Sequence, residues 1–320
     1  MNTYRIIIPV HNPEPKFIEF LSRLEELNPS SLDKLIIVDD GSTNQTISNI
    51  KQKYPSVNIL RGDGNLWWGG GIRVGMEYAL REHIKVAVWL NSDCLPDNGA
   101  IEKLVNIALN PNVGAVGAWC YTRGAEKWGF NPGFKNLKPI LIRELEEKEF
   151  VSVHGLNGNF VAVNMEVVNL VGLPRADLFP HYMDGPYTYQ IYKMGYKLQI
   201  ASKIRASLER DLERSVSVTD YCSVWQVNYQ KKLKYFFLSR RSPHHLRDKF
   251  FRVKSMRSTA LAFPVYMLSE LNVIINVTVG HLYCVFIPVD KLIEKILLKY
   301  EKISPIQLLR KALVRLSQRQ

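Results

Sequence analysis

The chain has 320 residues, 46% of them hydrophobic, and a formal charge of +12, enough length for one large α/β domain with an appendage. Its four cysteines, Cys94, Cys120, Cys222 and Cys284, lack metal-ligand or redox spacing and are expected to be reduced thiols. Residues 1–230 are near neutral, with 24 basic and 25 acidic side chains, whereas 231–257 carry ten basic and one acidic; with no nucleic-acid-binding motif beside that excess, an anionic membrane surface is the expected partner, not nucleic acid.

Residues 4–10 are expected to form the first strand, which leaves no secretory leader in view and points to a cytoplasmic protein. Phe17, Ile18, Phe20, Leu21, Leu24 and Leu27 recur at helical spacing until Asn28-Pro29-Ser30-Ser31 breaks the run. A strand at 34–38, a helix at about 44–53 and a strand at 57–60 follow. A glycine-rich loop at 64–71 then precedes a helix over 72–81. Next come a strand at 85–90, a helix over 96–109 and a strand at 113–118. This alternation predicts a mainly parallel sheet with helical crossovers. Residues 122–150 are less regular, and 143–149 read as an exposed loop or short helix. A strand and helix within 151–170, a helix at 187–193 closed by Gly195 and a strand at 197–201 complete the domain. From about 223 the pattern is helical and basic.

Three apolar runs end in polar tips: Ile6-Ile7-Ile8-Pro9-Val10-His11-Asn12, Leu35-Ile36-Ile37-Val38-Asp39-Asp40-Gly41-Ser42 and Val86-Ala87-Val88-Trp89-Leu90-Asn91-Ser92-Asp93. In open α/β sheets ligands bind beyond the carboxyl ends of the strands. Any one tip alone reads more readily as a turn or helix cap; three in succession predict one shared site, for a nucleotide. A carboxylate there can accept the imide N–H of uracil or thymine, and the backbone around Pro9 and Val10 can frame the base edge. No P-loop is present, and Val74 spoils a G-x-G-x-x-G count from Gly69. Glycines still let the backbone approach a nucleotide, with Trp67 and Trp68 as candidate pocket walls.

Over residues 1–225 the chain resembles an inverting family 2 glycosyltransferase of the GT-A fold. The resemblance rests on Ile8-Pro9-Val10-His11-Asn12 and Val38-Asp39-Asp40-Gly41-Ser42-Thr43. Gly64-Asn65-Leu66-Trp67-Trp68-Gly69-Gly70-Gly71 is similar to a segment of rhamnosyltransferase-like members, and Leu90-Asn91-Ser92-Asp93 stands where the family carries Asp-x-Asp. The resemblance implies a GT-A domain at 1–225 and a basic helical appendage at 226–320. It implies base and ribose contacts from Pro9, Val10, His11 and either Asp39 or Asp40, with Gly64, Asn65, Trp67, Asn91 and Ser92 around the donor. Asp93 would bind Mg²⁺ or Mn²⁺ together with the diphosphate. The family's usual first acid is Asn91 here, and its later histidine is absent from Ser207-Leu208-Glu209-Arg210-Asp211, where Arg210 is expected to contact the diphosphate. Asp184, before a helix ending in Gly195-Tyr196, matches the family's Glu-Asp, with Met183 in place of the Glu. It is the expected base that takes the acceptor's proton; the bland role for it is a helix N-cap.

The implied activity is transfer of a sugar from a UDP- or dTDP-sugar to a glycan or lipid-linked acceptor in cell-surface polysaccharide assembly. The alternatives are a non-catalytic sugar-nucleotide-binding subunit and a sugar-phosphate nucleotidyltransferase, the second disfavoured because no glycine-rich basic loop follows the first strand. Gly155-Leu156-Asn157-Gly158-Asn159 reads as an acceptor-side turn, and Trp119 and Trp128 as candidate sugar platforms. Residues 258–290 contain no Lys or Arg but hold Glu270, Asn272, Asn276 and His281. These polar groups favour interfacial or re-entrant helices, or a homo-oligomer interface, over a membrane span. Residues 291–319 are amphipathic.

Overall fold

The protein is described from a computed structural model covering residues 3–122, 125–129, 132–208, 218–225, 227–239, 242, 244–257, 259–288 and 291. It divides into two units, Met1–Glu209 and Arg210–Gln320.

The first unit begins with β1 (Tyr4–Val10), α1 (Lys16–Leu27), β2 (Leu35–Asp39), α2 (Thr46–Lys53), β3 (Asn58–Arg61), α3 (Trp67–Arg81) and β4 (Val86–Leu90). It continues through β5 (Cys94–Pro96), α4 (Ala100–Ala108), β6 (Val113–Thr122), β7 (Ala125–Gly129), β8 (Gly133–Lys135), β9 (Lys138–Pro139) and α5 (Ile142–Glu147). The last elements are β10 (Phe150–Val153), β11 (Gly155–Leu156), β12 (Phe160–Asn164), α6 (Met165–Val171), α7 (Asp184–Lys193) and β13 (Lys197–Leu208). The main sheet has the order β10-β13-β6-β12-β4-β1-β2-β3. Strands β3, β2, β1, β4, β6 and β13 run one way, and β12 is inserted antiparallel between β4 and β6. The mainly parallel α/β arrangement expected from the sequence is therefore present.

Side chains alternate across a strand. In β1, Ile6 and Ile8 face the core under α1, α2 and α4, while Ile7 faces the core under α3, α6 and α7. Both faces are covered, which is why the strands are near-continuous apolar runs. Cys94 and Cys120, far apart in sequence, meet as free buried thiols with Sγ atoms 3.7 Å apart. Burial pushes the Cys94 thiol well up, so it is a poor nucleophile.

The glycine-rich segment differs from expectation. It is not a loop before a helix at 72–81; α3 already begins at Trp67 and contains Gly69, Gly70 and Gly71. These glycines serve packing. A Cβ on Gly71 would lie 2.7 Å from Pro9 Cβ, and one on Gly75 only 2.3 Å from Ile7 Cγ2, so α3 is seated on β1 more closely than a side chain would permit. The late strand is also longer than its apolar core at 197–201, because Arg205 to Leu208 resume pairing with β6 after an irregularity.

In the second unit, α8 (Val218–Val224), α9 (Tyr229–Leu238), α10 (Leu246–Met256) and α11 (Thr259–Phe286) surround a small core of Cys222, Trp225, Phe236, Val273 and Val277. The stretch expected as re-entrant helices is one continuous α11, with Pro264 inside it. Two of its polar residues face the other helices: Glu270 pairs with Lys249 at 3.1 Å, and Asn276 Oδ1 accepts from Thr219 Oγ1 at 2.7 Å, whereas Asn272 is exposed. Large apolar residues, among them Phe263, Leu268, Leu271, Ile275 and Phe286, are exposed. Among the described residues, Ala260–Phe286 is long and apolar enough to cross a membrane.

Replacing Gly75 by Val should lower the urea midpoint through a stability loss of about 1–3 kcal/mol from overpacking against Ile7. An unchanged midpoint would mean that α3 is not seated this closely on β1.

Candidate functional site

The carboxyl ends of β1 and β2 lie side by side, with Val10 opposite Asp39. The sequence left the two aspartates alike; their surroundings differ. Asp40 Oδ1 accepts the amides of Gly64 (2.8 Å) and Leu66 (3.1 Å), and Oδ2 accepts that of Trp67 (2.9 Å). It thereby caps the start of α3, where orphan N–H groups and the helix dipole favour an anion. It also holds Trp67 at φ 57°, a left-handed conformation that costs a bulky residue about 1–3 kcal/mol. Asp39 is fully buried: Oδ1 accepts the Ser42 amide at 3.0 Å, and Oδ2 lies 3.2 Å from the guanidinium of Arg61, itself two-thirds exposed.

His11 and Asn12 organise the neighbouring loop. The Asp40 carbonyl can only accept, so His11 Nδ1–H donates to it at 2.6 Å, leaving Nε2 to accept from Asn12 Nδ2 at 3.1 Å. Asn12 Oδ1 then accepts the amides of Thr43 and Asn44. Asn65 is exposed, and its amide donates to Asp63 Oδ1 at 2.8 Å.

At the end of β4, both polar atoms of the Asn91 side chain have a partner within the protein. Its Oδ1 accepts from Trp68 Nε1 at 2.7 Å, its Nδ2 donates to Asn159 Oδ1 at 2.7 Å, and its amide donates to the Asn159 carbonyl at 3.0 Å. Ser92 is exposed and Asp93 half-buried in the turn to β5. Next to Asn159, the Gly158 amide donates to Asp184 Oδ2 at 2.7 Å, at the first residue of α7. A Cβ on Gly158 would fall 2.2 Å from the Trp68 ring, so only glycine fits between Trp68 and Asp184. The Trp67 ring lies 4.6 Å from that of His181.

The fold thus gathers Pro9, Val10, His11, Asp39, Asp40, Gly64 and Trp67 around the first two strand ends. It joins Asn91 through Asn159 and Gly158 to Asp184. Sequence reasoning missed Arg61, and it missed Asn159 as a partner of Asn91; the Gly-Asn turn was the available signal. Arg210 and the side chain of Trp128 lie outside the described residues. Trp119 is buried under the guanidinium of Arg205, 4.8 Å from its ring, and offers no open face to a sugar. A depression of about 650 Å³ lined by Lys135, His154, Tyr192 and Lys197 opens at the other end of α7 and shares none of these groups.

For a divalent cation, the donor set is sparse. Among the described residues no three His, Cys, Asp or Glu side chains form a cluster. Both polar atoms of the Asn91 amide are used within the protein. Asp93 therefore supplies the segment's one carboxylate, a set that fits Mg²⁺ or Mn²⁺ completed by substrate phosphates and water.

Asp40→Ala should cost about 2 kcal/mol or more in a urea melt, since it strips a charged cap from three amides. Loss below about 0.5 kcal/mol would show that the carboxylate does not hold the 64–67 segment.

Residues 5–168 match the model of glycosyl transferase family 2. No match was found among curated proteins. Among solved structures, GalNAc-T7, crystallised with UDP, GalNAc and Mn²⁺, is similar with a TM-score of 0.55 and 17% identity, over 75% of this chain and 50% of that one. The chain thus spans about half the length of that protein. The mannosyltransferase PcManGT from Pyrobaculum calidifontis, in complex with GDP-Man and Mn²⁺, is similar with a TM-score of 0.50 and 15% identity, over 89% and 87% of the two chains. These likenesses carry the fold, which is GT-A. The family match covers just over half of the 320 residues, including the tips of β1, β2 and β4, and the chain belongs to glycosyl transferase family 2.

Proposed function

We propose that this glycosyltransferase moves a hexosyl or deoxyhexosyl unit from a UDP- or dTDP-sugar to a glycan or lipid-linked acceptor, with inversion at the anomeric carbon. The observation that carries the reading is the anchoring of Asp184 by the Gly158 amide, one residue from the Asn159 that grips the end of β4. Asp184 takes the proton of the acceptor hydroxyl as that oxygen attacks the anomeric carbon. The bond to the nucleoside diphosphate breaks on the opposite face, and the departing diphosphate keeps the electron pair. Asp93 would hold Mg²⁺ or Mn²⁺, which when bound offsets negative charge growing on the leaving diphosphate. That GalNAc-T7 and PcManGT were solved with Mn²⁺ supports this.

Asp39 is the better candidate for the base, because Asp40 is committed to three backbone amides. Its carboxylate is covered by Arg61, whose exposed side chain must swing aside before a base can donate an imide N–H.

The second unit fits a peripheral role at the inner face of the cell membrane, in polysaccharide assembly. Lys231, Lys234, Arg247 and Lys254 are exposed, whereas Lys232 and Lys249 are buried. Exposed apolar residues of α11 complete an interfacial surface. A second copy of the chain is the rival occupant of that face.

With a panel of UDP-, dTDP- and GDP-sugars, turnover is expected for a uridine or thymidine donor and should fall on metal chelation. Asp184→Asn should reduce it about 10²–10⁴-fold while nucleoside diphosphate binding by calorimetry persists. Binding without turnover for every donor would favour a non-catalytic sugar-nucleotide-binding subunit. In co-sedimentation with vesicles, the full chain should prefer anionic lipid, less so at high salt. Replacing Lys231, Lys234, Arg247 and Lys254 by Gln should weaken that binding. No partitioning, with a dimer in solution, would assign the apolar face to self-association.

A further inference from the structure

The family's first acid is replaced here by Asn91, which read as a lost metal ligand in the sequence. The structure gives the amide another task, and the hydrogen-bond roles follow without ambiguity. An indole N–H only donates, so Trp68 Nε1 fixes Asn91 Oδ1 as the atom facing it at 2.7 Å. Asn91 Nδ2 must then face Asn159, which presents Oδ1 at 2.7 Å. The Asn91 amide also donates to the Asn159 carbonyl at 3.0 Å, so residue 159 is held by both backbone and side chain. The preceding residue, Gly158, donates its amide to Asp184 Oδ2 at 2.7 Å and packs against the same Trp68 ring. The Trp68 ring also meets Trp89 of β4 edge-on, at 6.1 Å.

We propose that Trp68, Asn91 and Asn159 form a hydrogen-bonded relay that sets the position of Asp184 relative to the Asp93 segment, with Asn91 a positioning residue and not a surviving fragment of a metal site. The proposal rests on the reading of Asp184 as the base. An amide suits the middle of the relay because it accepts from Trp68 and donates to Asn159 at once. A carboxylate would only accept. Asn159 would have to turn its own amide round, and a half-buried charge would be added beside a ring and an amide. The relay also accounts for Trp68, whose indole N–H needs an acceptor at that depth, and for Gly158, which must lack a side chain for the ring and Asp184 to close on it.

The test uses the full chain and the variants Asn91→Ala, Asn91→Asp, Trp68→Phe and the double variant Trp68→Phe/Asn91→Ala. Misplacing a reacting group by about 1 Å costs on the order of 100-fold. Asn91→Ala and Trp68→Phe should therefore each lower kcat by about 10- to 100-fold, with donor KM and nucleoside diphosphate Kd within about threefold of wild type. The double variant should fall no further than the worse single one, because both break the same relay. Asn91→Asp should lie between wild type and Asn91→Ala, with no tightening of the Mn²⁺ requirement.

A ligand role for residue 91 predicts the reverse: Asn91→Asp would exceed wild type and reach half-activity at lower Mn²⁺. That result, or additive losses in the double variant, overturns the relay. Hydrogen exchange provides a readout without turnover. The amides of 155–160 should exchange faster in Asn91→Ala and in Trp68→Phe while α3 stays protected; unchanged protection overturns the relay even in an inactive protein. Absence of turnover by wild type with every donor would instead sink the reading of Asp184.

Discussion

One carboxylate organises the candidate site. Asp40, the residue just after β2, accepts three amides from the 64–67 segment, so the chain leaving β3 is drawn back across the sheet tip and started as a helix. An anion meeting orphan amides at a helix start needs no other support. The consequence is positional. With the first turn of α3 fixed and its glycines pressed onto Pro9 and Ile7, Trp68 reaches Asn91. From there the bonds run on through Asn159 and Gly158 to Asp184. The two ends of the candidate site, the tips of β1 and β2 and the start of α7, are thus tied by short polar contacts and not by loop placement alone.

The second unit solves a different problem with the same elements. Its α11 is apolar enough for a membrane, yet three of its polar side chains find partners on the other helices: Glu270 with Lys249, Asn276 with Thr219, and His281 against Tyr229. The ion pair is almost entirely buried, a setting in which loss of either partner is costly. A buried ion pair inward and large apolar groups outward is the reverse of a helix on an ordinary soluble surface. Contiguous exposed apolar faces of this kind are uncommon on soluble monomers.

Much of this was legible beforehand. The apolar runs of β1, β2 and β4 located the sheet, because a strand buried on both faces has little freedom in composition. Helix starts were harder. Gly69-Gly70-Gly71 reads as a loop on intrinsic preference; only the close approach of Gly69 to the Phe179 and Pro180 carbonyls and of Gly71 to Pro9 reveals why glycine sits inside a helix. Asp39 and Asp40 were indistinguishable in sequence, since what separates them is the direction of each carboxylate, one toward the amides of 64–67 and one toward Arg61. Asn91 looked like a loss because the partner that gives it a role, Asn159, is 68 residues away. The meeting of Cys94 with Cys120 was hidden for the same reason, being set by the pairing of β5 and β6 with β13.

The central claim is that a base at the start of α7 drives a single displacement at these strand tips. The most direct measurement is proton NMR of the first product formed from an accepted nucleotide sugar, read before any mutarotation. A newly formed glycosidic bond with the opposite anomeric configuration to the donor is the predicted result. A product that retains the donor's configuration would contradict the role given to Asp184.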